Sequence, residues 1–401
     1  MSAETWRAFQ AVPDDVLFFR DGKPASLGAD HYLRSLFPPY PSTLYGAVRT
    51  RRLLDEGIPL DRLKRETWTD LLGALVGEIG PWGGFGSLRL RGPWLVRGDE
   101  ALLPAPADLE LILDERKGGS RRNGKGSPPR ILKVLRLRRS EGGGASWSHP
   151  LDLLEAHERA GGGWTPWQAP PQSDPAPSAG WFLRPAGLRR WTVGEVPEAQ
   201  DFVHGSKLWL DEVRTGLGLE ETTRAAREGL LYTFGFVRLQ RGVGIGFEVA
   251  GSGLAPGGIV RLGGDGRTAR LDKGPPLPFA EPPGPPSGGR FQLYLATPAI
   301  SVTGGYLPGF AAESLSGRPA GVPCRLAAAA ERRFSLVGGW DMAAGRAKPL
   351  RRAIPAGSVF WLEASESAGS PHALHGAHLS DFPGEDFGRQ GYGLALLGAE
   401  A

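Results

Sequence analysis

Thiols are almost missing from this sequence. Cys324 is the one cysteine among 401 residues, so neither an intramolecular disulfide nor a thiolate metal cage is available, and a reducing compartment fits. Long apolar runs are missing too, since nothing approaches the roughly 18 consecutive apolar residues of a membrane-spanning helix. The opening MSAETWRAF carries an acid and no apolar core segment, unlike a secretory leader. A soluble, cytoplasmic protein with no membrane partner is expected. No GxxxxGK[ST] phosphate loop occurs, and GRQGYG (Gly388 to Gly393) does not follow a strand and open a helix as a dinucleotide motif must. Nucleotide-driven chemistry is not supported, and no cofactor is expected.

Acids are missing from one long stretch. Between Arg116 and Arg139 lie ten basic residues, Arg121, Arg122, Lys125 and Arg130 among them, and no Asp or Glu in 24 positions. The formal net charge is only +4, yet outside this stretch the chain carries 37 basic and 43 acidic residues. The positive charge is therefore concentrated, as a polyanion contact requires. A solvated loop that orders on nucleic acid gives the same pattern.

Glycine (60) and proline (36) are abundant and together approach a quarter of the chain, which predicts long loops. Eleven of 27 residues from Gly161 to Gly187 are one or the other, a composition expected to form neither ladder nor helix, and this stretch reads as a linker or surface excursion. Lys273 to Gly289 is a second such loop. The length suits two domains, here divided as 1–200 and 201–401.

Strand-favouring runs are expected at Val16–Phe19, Leu88–Val96, Asp108–Leu113, Ile131–Leu137, Phe291–Ala296, Phe334–Val337 and Ser358–Leu362. The pair flanking the basic stretch predicts a hairpin with that stretch at its tip. LLYTFGFVRLQ and VGIGFEVAG, joined at Arg241-Gly242, read as another hairpin. Asp61 to Leu75 reads as a helix and Gly80 to Gly86 as a loop. Tyr232 to Leu239 matches only half of an RNA-recognition consensus, so Phe234 and Phe236 are expected in a core.

The most informative stretch is LFPPYPSTLYGAVRTRR, Leu36 to Arg52. Its prolines bar a helix before Pro41, and Ser42 and Thr43 are cap-type residues, so a helix is expected to begin there. Leu44, Ala47, Val48 and Leu54 form an apolar stripe, which leaves Tyr45, Arg49 and Arg52 expected on an exposed basic side. Hydroxyls at a helix N-terminus with arginines two turns on are suited to phosphate, although an ordinary capped helix with a solvated face reads the same way.

Further basic candidates are Arg20, Arg214, Lys348 with Arg351 and Arg352, and Arg389 within GRQGYG. There Gly388, Gly391 and Gly393 would let backbone N–H groups approach a sugar-phosphate chain, the alternative being a tight turn the fold requires. His372, His375 and His378 stand at three-residue spacing, but glycine and proline interrupt any helix that would align them, so no metal site is expected.

LFFRDGKP (Leu17 to Pro24), SLFPPYPSTLYGAVRT (Ser35 to Thr50), EVRTGLGL (Glu212 to Leu219), EGLLY (Glu228 to Tyr232), GGW (Gly338 to Trp340), KPLRRAIPAGSVFWLE (Lys348 to Glu363) and GRQGYG occur in that order. Together they resemble the RAMP-superfamily subunit of type III-B (Cmr) CRISPR effector complexes that holds the five-prime tag of the guide RNA. The resemblance runs from about Leu17 to Gly398. It implies an α+β fold of two ferredoxin-like, RNA-recognition-type domains with long loop insertions and a β-hairpin thumb. It also implies a non-catalytic, RNA-binding role in antiviral defence, with the guide RNA, the large polymerase-like subunit and the backbone RAMP subunits as partners. The glycine-rich run Gly388, Arg389, Gly391, Tyr392 and Gly393 corresponds to the superfamily signature. Relatives include metal-independent guide-processing endoribonucleases with a histidine near the first helix, for which His31 is the candidate here.

Overall fold

The computed structural model describes residues 5–20, 32–114, 128–137, 176–220, 222–223, 225–278, 289–311, 314–331, 333–341, 345–365 and 370–399. The chain is mixed α/β and mostly strand, with few helices. It divides into two units, each assembled from three stretches: Met1–Asp99, Leu208–Pro276 and Leu336–Arg351 in the first, Glu100–Lys207, Leu277–Ser335 and Arg352–Ala401 in the second. Neither coincides with a half of the chain divided at residue 200. Among the described residues no helix is long and apolar enough to cross a membrane.

In the first unit Arg7–Pro13 pairs antiparallel with Val243–Ala250 on one side and Thr268–Lys273 on the other. Val243–Ala250 pairs onward with Arg89–Arg97, and Thr268–Lys273 with Ile259–Arg261. One face of this sheet meets the helix α1 (Pro41–Asp55), whose Leu44, Ala47 and Val48 join Phe9, Leu90, Phe247 and Leu262 in one core. A separate sheet holds Trp209–Leu219 against Ala226–Leu239, with Tyr32–Arg34 parallel to the latter.

Several expectations are corrected here. Val16–Phe19 is buried but makes a single bridge, Leu17 to Val237, instead of a full strand; Arg7–Pro13 is the strand that enters the sheet. The turn at Gly242 (φ 78°) does reverse the chain, yet its two strands do not pair and belong to different sheets. Val243–Ala250 is paired with Arg7–Pro13 along one edge and Arg89–Arg97 along the other, so no edge is left for Ala226–Leu239, whatever the local turn chemistry favours. Asp61–Leu75 is broken into short pieces, Leu60–Arg62, Trp68–Leu72 and Gly73–Leu75, with Gly73 at φ 51° ending the middle one. The strands Arg89–Arg97, Arg290–Leu295, Ser335–Val337 and Val359–Ala364 lie where expected.

In the second unit a five-stranded sheet runs Ser316–Gly317, Cys324–Ala330, Val359–Ala364, Arg290–Leu295, Ala395–Gly398. Its core gathers Phe291, Leu293, Leu326, Phe360 and Leu397. Cys324 is buried there, and burial pushes its thiol up to about 12. Leu109–Asp114 and Arg130–Arg136 pair antiparallel as expected, while the residues between them at 115–127 lie outside the described chain. The excursion expected at Gly161–Gly187 is described only from residue 176. From there Ala176–Pro177 and Trp181–Leu183 form strands and Pro185 opens the helix Pro185–Thr192, so this part is corrected from loop to structure. Proline at the first helical position explains how so Pro-rich a stretch still starts a helix.

Candidate nucleic-acid interface

α1 begins one residue earlier than its hydroxyls suggest. Tyr40 is the N-cap residue, with extended backbone and no side-chain cap, and Pro41 occupies the first turn. Ser42 and Thr43 are therefore half-buried first-turn residues rather than caps, and the Thr43 N–H donates to the Tyr40 carbonyl at 3.0 Å. The side of the helix expected to be exposed is also corrected. Tyr45, Val48 and Arg52 stand three and four residues apart, so they share one side, and that side is inward. Tyr45 is buried with its hydroxyl 3.4 Å from the Leu88 carbonyl. Arg52 is buried too, bonded to Glu78 at 2.8 Å and Glu56 at 2.9 Å. Glu78 in turn accepts from the Gly253 N–H at 3.2 Å and from the Ser252 hydroxyl. Burial opposes its ionisation, but the bonds from Arg52, Ser252 and Gly253 outweigh it and hold the carboxyl below its usual value. Arg51 reaches Asp55 at 2.6 Å and the Gly257 and Ile259 carbonyls at 3.0 Å each. Both residues serve to fix α1.

Arg49 differs from them. It is half-buried, its guanidinium lies 5.9 Å from the centre of the Tyr45 ring, and among the described residues no carboxylate stands within ion-pair distance. Burial pushes its guanidinium below the usual value without threatening its charge near neutrality. A cation so placed gains from an incoming phosphate, because its own carboxylate need not first be displaced.

The remaining candidates fall into three groups. Arg214 is already engaged, at 2.6 Å from Glu212 and 3.3 Å from Asp15, with its guanidinium 5.3 Å from the Phe236 ring. Arg238 and Arg267 complete that cluster: Arg238 pairs with Glu212 and with Asp15 at 2.9 Å, and Arg267 reaches Asp15 at 3.2 Å. Neither was singled out by the sequence, where a lone Arg after an apolar run (Arg238) or in a Gly-rich turn (Arg267) carries no signal. Arg20, Arg130 and Lys348 are exposed. Arg121, Arg122, Lys125 and His31 lie outside the described residues.

The glycine run proves to be part of a core. Tyr392 is fully buried, and Gly391 and Gly393 are buried with φ of 105° and 70°. Gly391 N–H donates to Gly388, Tyr392 N–H to Phe387 and Gly393 N–H to Pro298, at 3.0, 3.0 and 2.7 Å. The Arg389 N–H is taken by Asp386 at 2.8 Å, and its guanidinium pairs with the same carboxylate at 3.0 Å. The expectation that this backbone and Tyr392 face a nucleic acid is corrected: the donors are used internally, and a Cβ on Gly393 would lie 1.9 Å from the Leu379 carbonyl oxygen. α1 and the glycine turn belong to different units.

Of the three histidines, His378 meets the same turn and His375 the strand that follows it. His378 Nδ1 lies 3.0 Å from the Tyr392 carbonyl, which only accepts, so that nitrogen carries a proton; His375 Nδ1 accepts from the Leu397 N–H at 3.2 Å. Among the described residues no group of three or more His, Cys, Asp or Glu side chains is placed to hold a metal.

Residues 9–400 match the model of a family described as CRISPR-associated protein (Cas_Cmr3). No curated protein matches. Among solved structures, a chain from a cryo-EM structure of the type III-B Cmr-beta bound to cognate target RNA is 16% identical, with a TM-score of 0.42, covering 88% of this chain and 86% of that one. A chain from a Csm3–Csm4 subcomplex in the type III-A CRISPR-Cas interference complex is 10% identical, with a TM-score of 0.35 and coverage of 91% and 94%. One from a Csm1–Csm4 cassette in complex with pppApA is 12% identical, with a TM-score of 0.32 and coverage of 91% and 88%. The family match is the one that bears on function.

Proposed function

Because the chain belongs to the Cas_Cmr3 family of CRISPR-associated proteins, we propose that it is a non-catalytic RNA-binding subunit of a type III-B effector complex. In this reading it holds the five-prime, repeat-derived tag of the guide RNA and caps the assembly beside the large polymerase-like subunit, next to the backbone RAMP subunits. The two units correspond to two ferredoxin-like domains with long insertions, and the antiparallel pair Leu109–Asp114 and Arg130–Arg136 forms the base of a hairpin thumb.

The observation that carries this reading is Arg49. Arg51, Arg52, Arg214, Arg238 and Arg267 are each tied to a carboxylate of the protein, whereas Arg49 is half-buried on α1 beside the Tyr45 ring, with no carboxylate at ion-pair distance among the described residues. That is the arrangement of a phosphate anchor: the charge is held in place, partly desolvated and available. Arg20 and Lys348 add exposed positive charge in the same unit.

Binding of a guide-tag RNA to the full chain, measured at several salt concentrations, tests the proposal. Arg49→Ala is expected to weaken binding roughly tenfold and to reduce the slope of log K against log salt by about 0.7, the contribution of one phosphate contact on a single strand. An unchanged affinity and slope would remove Arg49 from the interface, and absence of RNA binding by the wild type would remove the reading itself.

A further inference from the structure

The stretch 336–351 contributes a small two-stranded ribbon to the first unit, Trp340–Asp341 paired antiparallel with Arg346–Ala347. Trp340 is 58% exposed, the most exposed of the tryptophans among the described residues with large apolar exposure. Its neighbours explain why. Side chains alternate faces along a strand, so the indole shares its face with its cross-strand partner Ala347. That partner brings only a methyl group to the ring. The other face of the ribbon carries Arg346 opposite Asp341, and Lys348 held by its N–H to the Gly339 carbonyl at 2.9 Å. Arg346 and Lys348 are both exposed.

We propose that Trp340 is a stacking platform for a base of single-stranded RNA, with Arg346 and Lys348, exposed on the other face of the same ribbon, adding the positive charge that draws the polyanion to it. This rests on the RNA-binding reading and adds to it a residue and a mode of contact. An exposed aromatic ring accepts any nucleobase, and cations on the same element favour the phosphate chain. Arg346 and Lys348 against the single acid Asp341 leave the ribbon net positive, which favours a polyanion as its occupant. The ribbon also lies close to the start of α1: the Tyr40 hydroxyl, on the residue that precedes the helix, donates to the Leu336 carbonyl at 3.1 Å.

The test compares two oligonucleotides of equal length bound to the full chain, one an ordinary single-stranded RNA and the other the same backbone with abasic sites. Wild-type protein should prefer the first by about tenfold, the scale of one stacked base. Trp340→Ala should abolish that preference while leaving the salt slope unchanged, since no charge is lost, and Trp340→Phe should retain most of it. Trp340→Ala that keeps both the wild-type affinity and the preference overturns the stacking role while RNA binding stands. The same holds if RNA binding is unchanged but association with another subunit of the complex is lost, which would assign the ring to a protein. Wild-type protein that binds neither oligonucleotide overturns both readings.

Discussion

Arg136 has no exposed side-chain surface, and neither has the Asp108 it pairs with at 3.1 Å. Its guanidinium also donates to the Glu195 carbonyl at 3.1 Å, to the Ala399 carbonyl at 3.3 Å and to Gln292, and it stands 5.0 Å from the Trp191 ring centre. The Trp191 N–H closes the network onto Asp108 at 2.9 Å. So complete a set of partners makes this arginine structural, although it lies in the basic stretch that the sequence assigns to a polyanion. Arg136→Met would strand the Asp108 carboxylate in the interior, and a loss of about 3–5 kcal/mol of unfolding free energy is expected by denaturant titration. The double variant Asp108→Asn with Arg136→Met should recover part of that loss, because no buried charge is then left unpaired. Sequence reasoning could not separate Arg136 from its basic neighbours, since burial of a charge depends on where distant residues such as Gln292 and Ala399 arrive.

At the scale of elements, α1 shows both what the sequence displayed and what it hid. Its position, the proline-set start and the Leu44, Ala47 and Val48 part of its apolar stripe were legible from local spacing, whereas Leu54, expected in that stripe, is exposed and Leu53 is buried in its place. Which side of it faced inward was not, because the second buried row, Tyr45 with Arg52, depends on Glu78 arriving from another segment. That carboxylate is held below its ordinary value, so its bonds stabilise the fold above the ordinary carboxylate range and are lost as pH falls through the lowered value. Glu78→Gln should therefore cost about 1–3 kcal/mol at pH 7 and flatten the decline in Tm on acidification, wild type and variant converging once the pH is below the lowered value. A decline of equal steepness in both proteins would mean that other carboxylates carry the acid sensitivity. The glycine run was legible as a turn, but its use was not: three of its N–H groups close on carbonyls within the same unit, a pairing no six-residue motif discloses.

At the scale of the whole molecule, the chain leaves each unit and returns to it. The family was legible over nearly the whole chain, yet order along the sequence does not reveal which strands share a sheet. Arg7–Pro13 takes both of its neighbours from beyond residue 240, namely Val243–Ala250 and Thr268–Lys273. A fragment ending at residue 200 would leave Phe9 and Ala11 without the strands that cover them. Residues 1–200 expressed alone should show no cooperative thermal transition by circular dichroism while the full chain shows one. A sharp transition from the fragment would prove that the first part of the chain folds independently.

The buried sulfur of Cys324 has a practical corollary. With that thiol pushed up to about 12 and shut inside the second unit, the native surface offers nothing for a maleimide to alkylate at neutral pH. A cysteine placed on the ribbon at Lys348 or beside α1 would then be the single labelling point. A fluorophore or crosslinker attached there could report distance to a nucleic acid without first rebuilding the protein to remove background reactivity.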